Sequence, residues 1–197
     1  MPAGEDLEIH PVTGDRLGDL ADLFGTNGTT RGCWCMYFIA TRAEFGAGWR
    51  GGNRRQFEEL AVAADPPMGL LAYRDGEPAG WCALGPRSRY PRAISHRARI
   101  LKDRDQGEDG DVWLVPCFFV RTDARRLGIT RALLAAAVDL ARRSGATAIE
   151  GFPRSDDTAP SPEDYLGREG VFAACGFECV ARPTPRRAVM RHSFLRL

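Results

Sequence analysis

The chain has 197 residues, 44% of them hydrophobic and 27% charged, with 27 Lys+Arg against 26 Asp+Glu and a net charge of +1. That size and composition predict one globular domain over residues 1–197, and the balanced charge gives no reason to expect a nucleic-acid or anionic-membrane partner. No apolar run approaches the roughly 20 residues needed to span a bilayer, and the start MPAGEDLEIH lacks a basic-then-apolar leader, so a cytoplasmic protein is expected.

Residues 7–12 read as a first strand, and Leu17, Leu20, Leu23 and Phe24 then recur at helical spacing. Residues 25–52 interleave glycines with Trp34, Met36, Tyr37, Phe38, Phe45 and Trp49, which predicts an irregular segment packed over a core or lining a ligand pocket. Asn53 is the expected cap of a helix running to about Ala64. The runs 69–73 and 79–84 flank Arg74-Asp75-Gly76-Glu77, whose Asp-Gly step predicts a hairpin. Residues 85–110 pass from basic (Arg87, Arg89, Arg92, Arg97, Arg99) to acidic (Asp103, Asp105, Glu108, Asp109, Asp111). A solvated surface excursion is the first expectation there, and a mobile flap bordering a binding site the second. A strand over 112–120, a helix to about Arg143 closed by Ser144-Gly145 and a strand over 148–152 follow. A loop over 156–164, a helix over roughly 163–174 and terminal strands over 177–181 and 188–194 complete the chain. Strands on both sides of helices, with one hairpin early and one late, predict a mixed α/β sheet.

The six cysteines are Cys33, Cys35, Cys82, Cys117, Cys175 and Cys179. Free thiols are expected in a cytosolic chain. Cys33-Trp34-Cys35 misses the usual zinc spacing, and His10, His96 and His192 are scattered, so no metal is expected. Cys82 and Cys117 lie in apolar runs, where a thiol acts as a small hydrophobe.

The most informative stretch joins Phe118, Phe119 and Val120 to Arg125-Arg126-Leu127-Gly128-Ile129-Thr130-Arg131 and then to an amphipathic run. That is a strand, a basic turn and a helix start, whose free N–H groups and partial positive charge suit a phosphate. A dinucleotide fingerprint would need three glycines, and a P-loop a Gly-Lys pair; Gly128 stands alone and the only lysine is Lys102. Arg125-x-x-Gly128-x-Thr130 instead resembles the acetyl-coenzyme A loop of the GNAT N-acetyltransferase superfamily, [QR]-x-x-G-x-[GA], with Val120 and Leu133-Leu134 matching its flanks. Phe172-Ala173-Ala174-Cys175-Gly176-Phe177 resembles the family's late helix and Gly-Phe step, and Gly32-Cys33-Trp34-Cys35-Met36 resembles a stretch of one bacterial branch of it.

The resemblance implies a mostly antiparallel central sheet with splayed central strands, and transfer of an acetyl group from acetyl-CoA to an amine. Its implied partners are acetyl-CoA and a small amine, with a homodimer allowed. The pyrophosphate would take amides from about Arg126 to Arg131, and the pantetheine arm backbone groups of Phe118, Phe119 and Val120. Thr130 stands where the family has a small residue, Phe172 where many relatives have an acidic tyrosine, and Leu114 where some have a basic glutamate. Tyr165 is then the candidate acid and Glu150 the candidate base; a structural tyrosine and an arginine-paired carboxylate are the alternatives. Trp34, Tyr37 and Trp81 are candidates for an acceptor pocket or for the core. A protein N-terminus or lysine as acceptor, a non-catalytic acyl-CoA sensor and unrelated phosphate binding stay open.

Overall fold

The structure, a computed structural model, describes residues 6–95, 98, 100–155 and 165–194. Seven strands form one sheet: β1 (Leu7–Pro11), β2 (Gly69–Arg74), β3 (Glu77–Pro86), β4 (Val112–Val120), β5 (Ala148–Gly151), β6 (Glu178–Thr184) and β7 (Arg187–Ser193). Their order is β1-β2-β3-β4-β5-β7-β6, and every neighbouring pair is antiparallel except β4 with β5. The helices are α1 (Leu17–Gly25), α2 (Gly28–Cys33), α3 (Arg42–Ala47), α4 (Gly52–Ala63), α5 (Pro91–Ile94), α6 (Ile129–Arg143) and α7 (Glu169–Ala174). This is the mixed, mostly antiparallel α/β architecture that the sequence predicts. Among the described residues, no helix is long and apolar enough to cross a membrane.

Helical periodicity puts Ile129, Leu133, Leu134, Ala137, Val138 and Ala141 on one stripe of α6, which packs on one face of the sheet with Cys82, Phe118 and Phe172. The opposite face carries Leu71, Trp81 and Phe119 beneath residues of α1 and α4 together with Trp34 and Met36. A smaller cluster on Leu114, Phe152 and Val189 covers the β4–β7 half. The early hairpin turns on Asp75 (φ 53°) and Gly76 (φ 80°), the left-handed pair a tight two-residue turn requires.

Two features of β4 shape the middle of the sheet. It pairs with β5 only over Val112–Leu114, against Ala148–Glu150, and then runs on to Val120 while β5 stops at Gly151. Among the described residues, one edge of β4 beyond Leu114 therefore faces no strand, and the central strands splay. On its other edge the register steps from Ala83↔Cys117 to Gly85↔Leu114, so Val115 and Pro116 together oppose Leu84. Pro116 has no N–H to give to the ladder, which is why a bulge accommodates it.

Several expectations need correction. Residues 25–52 are mostly short helices, not irregular: α2, a 3₁₀ turn at Met36–Phe38, α3 and a second 3₁₀ turn at Gly48–Arg50. The glycines there serve close packing. A Cβ on Gly32 would lie 2.4 Å from the Trp49 ring, and one on Gly48 would lie 2.2 Å from Asn53 Oδ1. Asn53 is not a cap; it lies inside α4, buried, and donates through Nδ2 to the carbonyls of Gly32 (2.9 Å) and Phe45 (3.1 Å). The late helix begins only at Glu169, after Gly167 (φ 83°), and Tyr165 lies in a helical turn before it. Residues 85–110 are not a solvated excursion, because Arg87 and Tyr90 are both 1% exposed. The expected loop over 156–164, with His96, Arg97 and Arg99, lies outside the described residues.

Candidate functional site

The basic turn is built as a helix start. Gly128 (φ 80°) occupies the N-cap position of α6 with no side-chain cap, and Arg126 (φ 65°) is also left-handed. The amides of Ile129, Thr130 and Arg131 have no acceptor among the described residues; the first bond of the helix is Ala132 N to Gly128 O at 3.0 Å. Arg125, Arg126 and Arg131 are exposed around these donors, and Arg125 Nε is tied to the Val120 carbonyl at 3.2 Å. A Cβ on Gly128 would meet nothing within 4 Å, so the turn opens to solvent. Three amides without an acceptor among the described residues, a helix dipole and arginines together suit an anion.

Phe118 and Phe119, on the last part of β4, point to opposite faces of the sheet, one into the α6 core and the other toward Trp81. Their backbone lies along the unpaired edge. Phe172 fills the space beside them, fully buried against Phe118 and Phe177 at ring separations of 6.0 and 5.0 Å. It also crowds Gly151, where an added Cβ would lie 2.3 Å from its ring. Leu114 is likewise fully buried.

Beside the bulge lies a cavity of about 490 Å³, lined by Pro116 and Cys117 of β4, Thr30 and Cys33 of α2, and Tyr165. Tyr37, Phe38, Phe45 and Trp49 complete its aromatic wall. Tyr165 stacks on Phe119 (6.4 Å between centroids, 27° between planes), and its hydroxyl donates to Asn27 Oδ1 at 3.4 Å. Asn27 is the N-cap of α2 and also accepts from the amides of Thr29 (2.8 Å) and Thr30 (3.4 Å). Of the three candidate aromatics, Tyr37 lines this cavity, whereas Trp34 (2% exposed) and Trp81 (0%) are core.

Three thiols reach the same wall. Cys35 Sγ lies 3.3 Å from Cys117 Sγ and accepts from Trp81 Nε1 at 3.1 Å; all six cysteines are free. Cys117 is half-buried at the cavity, while Cys82 is the fully buried small hydrophobe expected. Burial pushes the Cys33 thiol up to about 12, so it stays protonated at neutral pH.

Glu150 is not at that cavity. It lines a second one, of about 580 Å³, over β5 and β7. Its Oε1 accepts from Arg87 Nη2 and Arg191 Nη1, both at 3.0 Å, and it is 3% exposed. Glu108 and Asp109 extend the network to Arg191, Arg87 and Arg104. Ile100 borders both cavities and separates the charged one from the aromatic one. The sequence did not bring out Asn27, and it offered Arg87 only as part of a basic run; the aromatics of residues 25–52 were expected over a core or lining a pocket, and Tyr37, Phe38, Phe45 and Trp49 line one.

A profile of the acetyltransferase (GNAT) family matches residues 34–161. No curated protein matches the sequence. Solved structures with the same fold include a PaiA N-acetyltransferase from Thermoplasma acidophilum in complex with coenzyme A (12% identity, TM-score 0.55, 96% of this chain and 99% of that one). A ribosomal-protein-alanine N-acetyltransferase from Brucella melitensis aligns at 19% identity and TM-score 0.56, over 95% of this chain and 99% of that one. The structure of YncA from Salmonella typhimurium with acetyl-CoA aligns at 12% identity and TM-score 0.54, over 95% of this chain and 93% of that one.

Proposed function

This chain belongs to the acetyltransferase (GNAT) family, and on that premise we propose that it moves an acetyl group from acetyl-CoA to the primary amine of a small molecule. The observation that carries the reading is the uncapped first turn of α6, whose three free amides sit among arginines beside the unpaired edge of β4. A pyrophosphate matches those donors and that charge. The open side of Gly128 leaves room for it, and the Thr130 hydroxyl can add one more donor. The Phe118–Val120 stretch of β4 turns alternate backbone groups away from β3, and that edge can pair with an extended amide-bearing arm. Acetyl-CoA bound there supplies the acetyl thioester.

Tyr165 is the acid in this reading. Its phenol stands on the cavity wall beside Cys117, oriented by Asn27, and holds the proton that the departing sulfur takes. Phe172 has no proton to give and Leu114 cannot accept one. We assign no proton abstraction to Glu150, because two arginines hold it at the other cavity.

Thermal unfolding with acetyl-CoA, and separately with ATP and NAD, tests the donor assignment. Acetyl-CoA at 100 times its Kd is expected to stabilise the fold by about 2.7 kcal/mol. No shift would sink the reading. Gly128→Glu sets a carboxylate against the phosphate and strains a left-handed position by roughly 1–2 kcal/mol. It is expected to leave the protein folded and to abolish the acetyl-CoA shift; an undiminished shift would locate the donor elsewhere.

A further inference from the structure

Cys35 and Cys117 stand 82 residues apart in the chain, yet their sulfurs meet at 3.3 Å. Each is delivered by an unusual piece of backbone. Trp34 (φ 46°) and Cys35 (φ 52°) are consecutive left-handed residues, neither of them glycine. Such strain persists only where the surroundings over-determine it. Cys117 follows Pro116 at the β4 bulge, and a bulge re-aims the side chains beside it. A disulfide needs about 2.05 Å between sulfurs, so a closure of roughly 1.2 Å would join them.

The two thiols differ in access. Cys35 is 8% exposed and accepts from Trp81 Nε1 at 3.1 Å. Its S–H donates to the Cys117 sulfur, and that hydrogen bond, with burial, holds the Cys35 thiol well above its ordinary range. Cys35 therefore keeps its proton until a partner takes it. Cys117 is half-buried and lines the 490 Å³ cavity. A small uncharged oxidant meets Cys117 first. The remaining thiols have other surroundings: Cys82 is fully buried, Cys175 lies against the Arg131 carbonyl at 3.7 Å, and Cys179 against the Ala181 carbonyl at 3.5 Å.

We propose that Cys35 and Cys117 are a modification site, forming a reversible disulfide when the chain meets a small hydroperoxide. The Cys117 sulfur attacks a peroxide oxygen, so that an S–O bond forms and the O–O bond breaks. The departing oxygen takes the thiol proton and leaves as water or alcohol. Cys35 then attacks the Cys117 sulfenic sulfur. The S–S bond forms, the S–O bond breaks, and the hydroxyl leaves as water with the Cys35 proton. The two sulfurs together lose two electrons, and the peroxide gains them. A dithiol reductant returns both thiols by exchange. The closed bond ties the turn after α2 to β4, on the wall that Tyr165 shares. Its formation does not depend on the acetyl-transfer reading.

The test uses the full chain, reduced, freed of reductant and treated with equimolar hydrogen peroxide. Thiols titrated after denaturation are expected to fall by two from the six of the reduced chain, and the intact mass by two hydrogens. Digestion without reduction, after alkylation, is expected to give a cross-linked peptide joining Cys35 to Cys117. A disulfide beside the Trp81 indole is expected to quench its emission, and dithiothreitol to restore it. Cys117→Ser is expected to abolish the cross-link and the quench, whereas Cys33→Ser leaves both. Should Cys117→Ser fail to fold, a chain with serine at 33, 175 and 179 is expected to form the same cross-link and settles the pairing. A map that joins Cys33 to either partner, a bond between chains through Cys179, or Cys117 recovered as sulfinic acid or as free thiol overturns the proposal. Acetyl-CoA stabilisation, measured on the reduced chain, reports on the donor site separately, so either reading can fail alone.

Discussion

Arg87 is 1% exposed and its guanidinium meets Glu150 at 3.0 Å, Asp109 at 3.3 Å, Glu108 at 3.5 Å and the Asp105 carbonyl at 3.0 Å. Removing one partner of a buried ion pair leaves the other charge uncompensated, so Arg87→Met is expected to destabilise the fold by about 3–5 kcal/mol. Urea unfolding measures this, and adding Glu150→Leu should recover part of the loss. The same network sets an acid limb. A hydrogen bond from Arg191 holds Glu108 below its ordinary 4.5; burial opposes the shift of Asp109, but hydrogen bonds from Arg104 and Arg87 carry it below 3.8. Lowered folded values mean stability that is complete above the unfolded values and drains away as pH falls through the folded ones. The melting temperature is therefore expected to hold down to about pH 5 and to decline below about 4.5, most steeply in low salt. These charges were visible in the sequence, but their pairing was not. A run that passes from basic to acidic reads as solvated when its partners, Glu150 and Arg191, stand on strands far along the chain.

Elements were legible where local pattern and tertiary packing agree. The Asp-Gly hairpin, β4, the basic turn and α6 follow from periodicity and turn chemistry alone, and Gly128 adopts the left-handed start that the turn requires. Residues 25–52 were misread because a glycine signals a loop only from local preference. Gly32 and Gly48 are there because Trp49 and Asn53 occupy the space a side chain would need. Gly80 works the same way for the donor site. Its missing Cβ lets the first turn of α6 lie on β3, since an added Cβ would come within 2.7 Å of Ile129 Cγ2. Gly80→Val is expected to destabilise by about 1–3 kcal/mol through overpacking, and to weaken acetyl-CoA binding by tilting the free amides away from β4. Calorimetric titration against acetyl-CoA would check it; a stable variant with unchanged affinity would argue that the turn does not depend on that contact.

For the whole molecule, the α/β class and the family were within reach of the sequence because two short motifs lie in the right order. The aromatic cavity was not. It takes its walls from α2, the Met36–Phe38 turn, the β4 bulge and Tyr165, segments that no single stretch of sequence joins. The sheet that supports it is really two panels, β1–β4 and β5–β7, sewn together by three residue pairs between β4 and β5. A seam that short is a weak line in the sheet, so thermal fluctuations should part the panels there. A donor arm lying along the free edge of β4 would act as thread across that gap. The substrate would then fasten the fold at the place where it reacts.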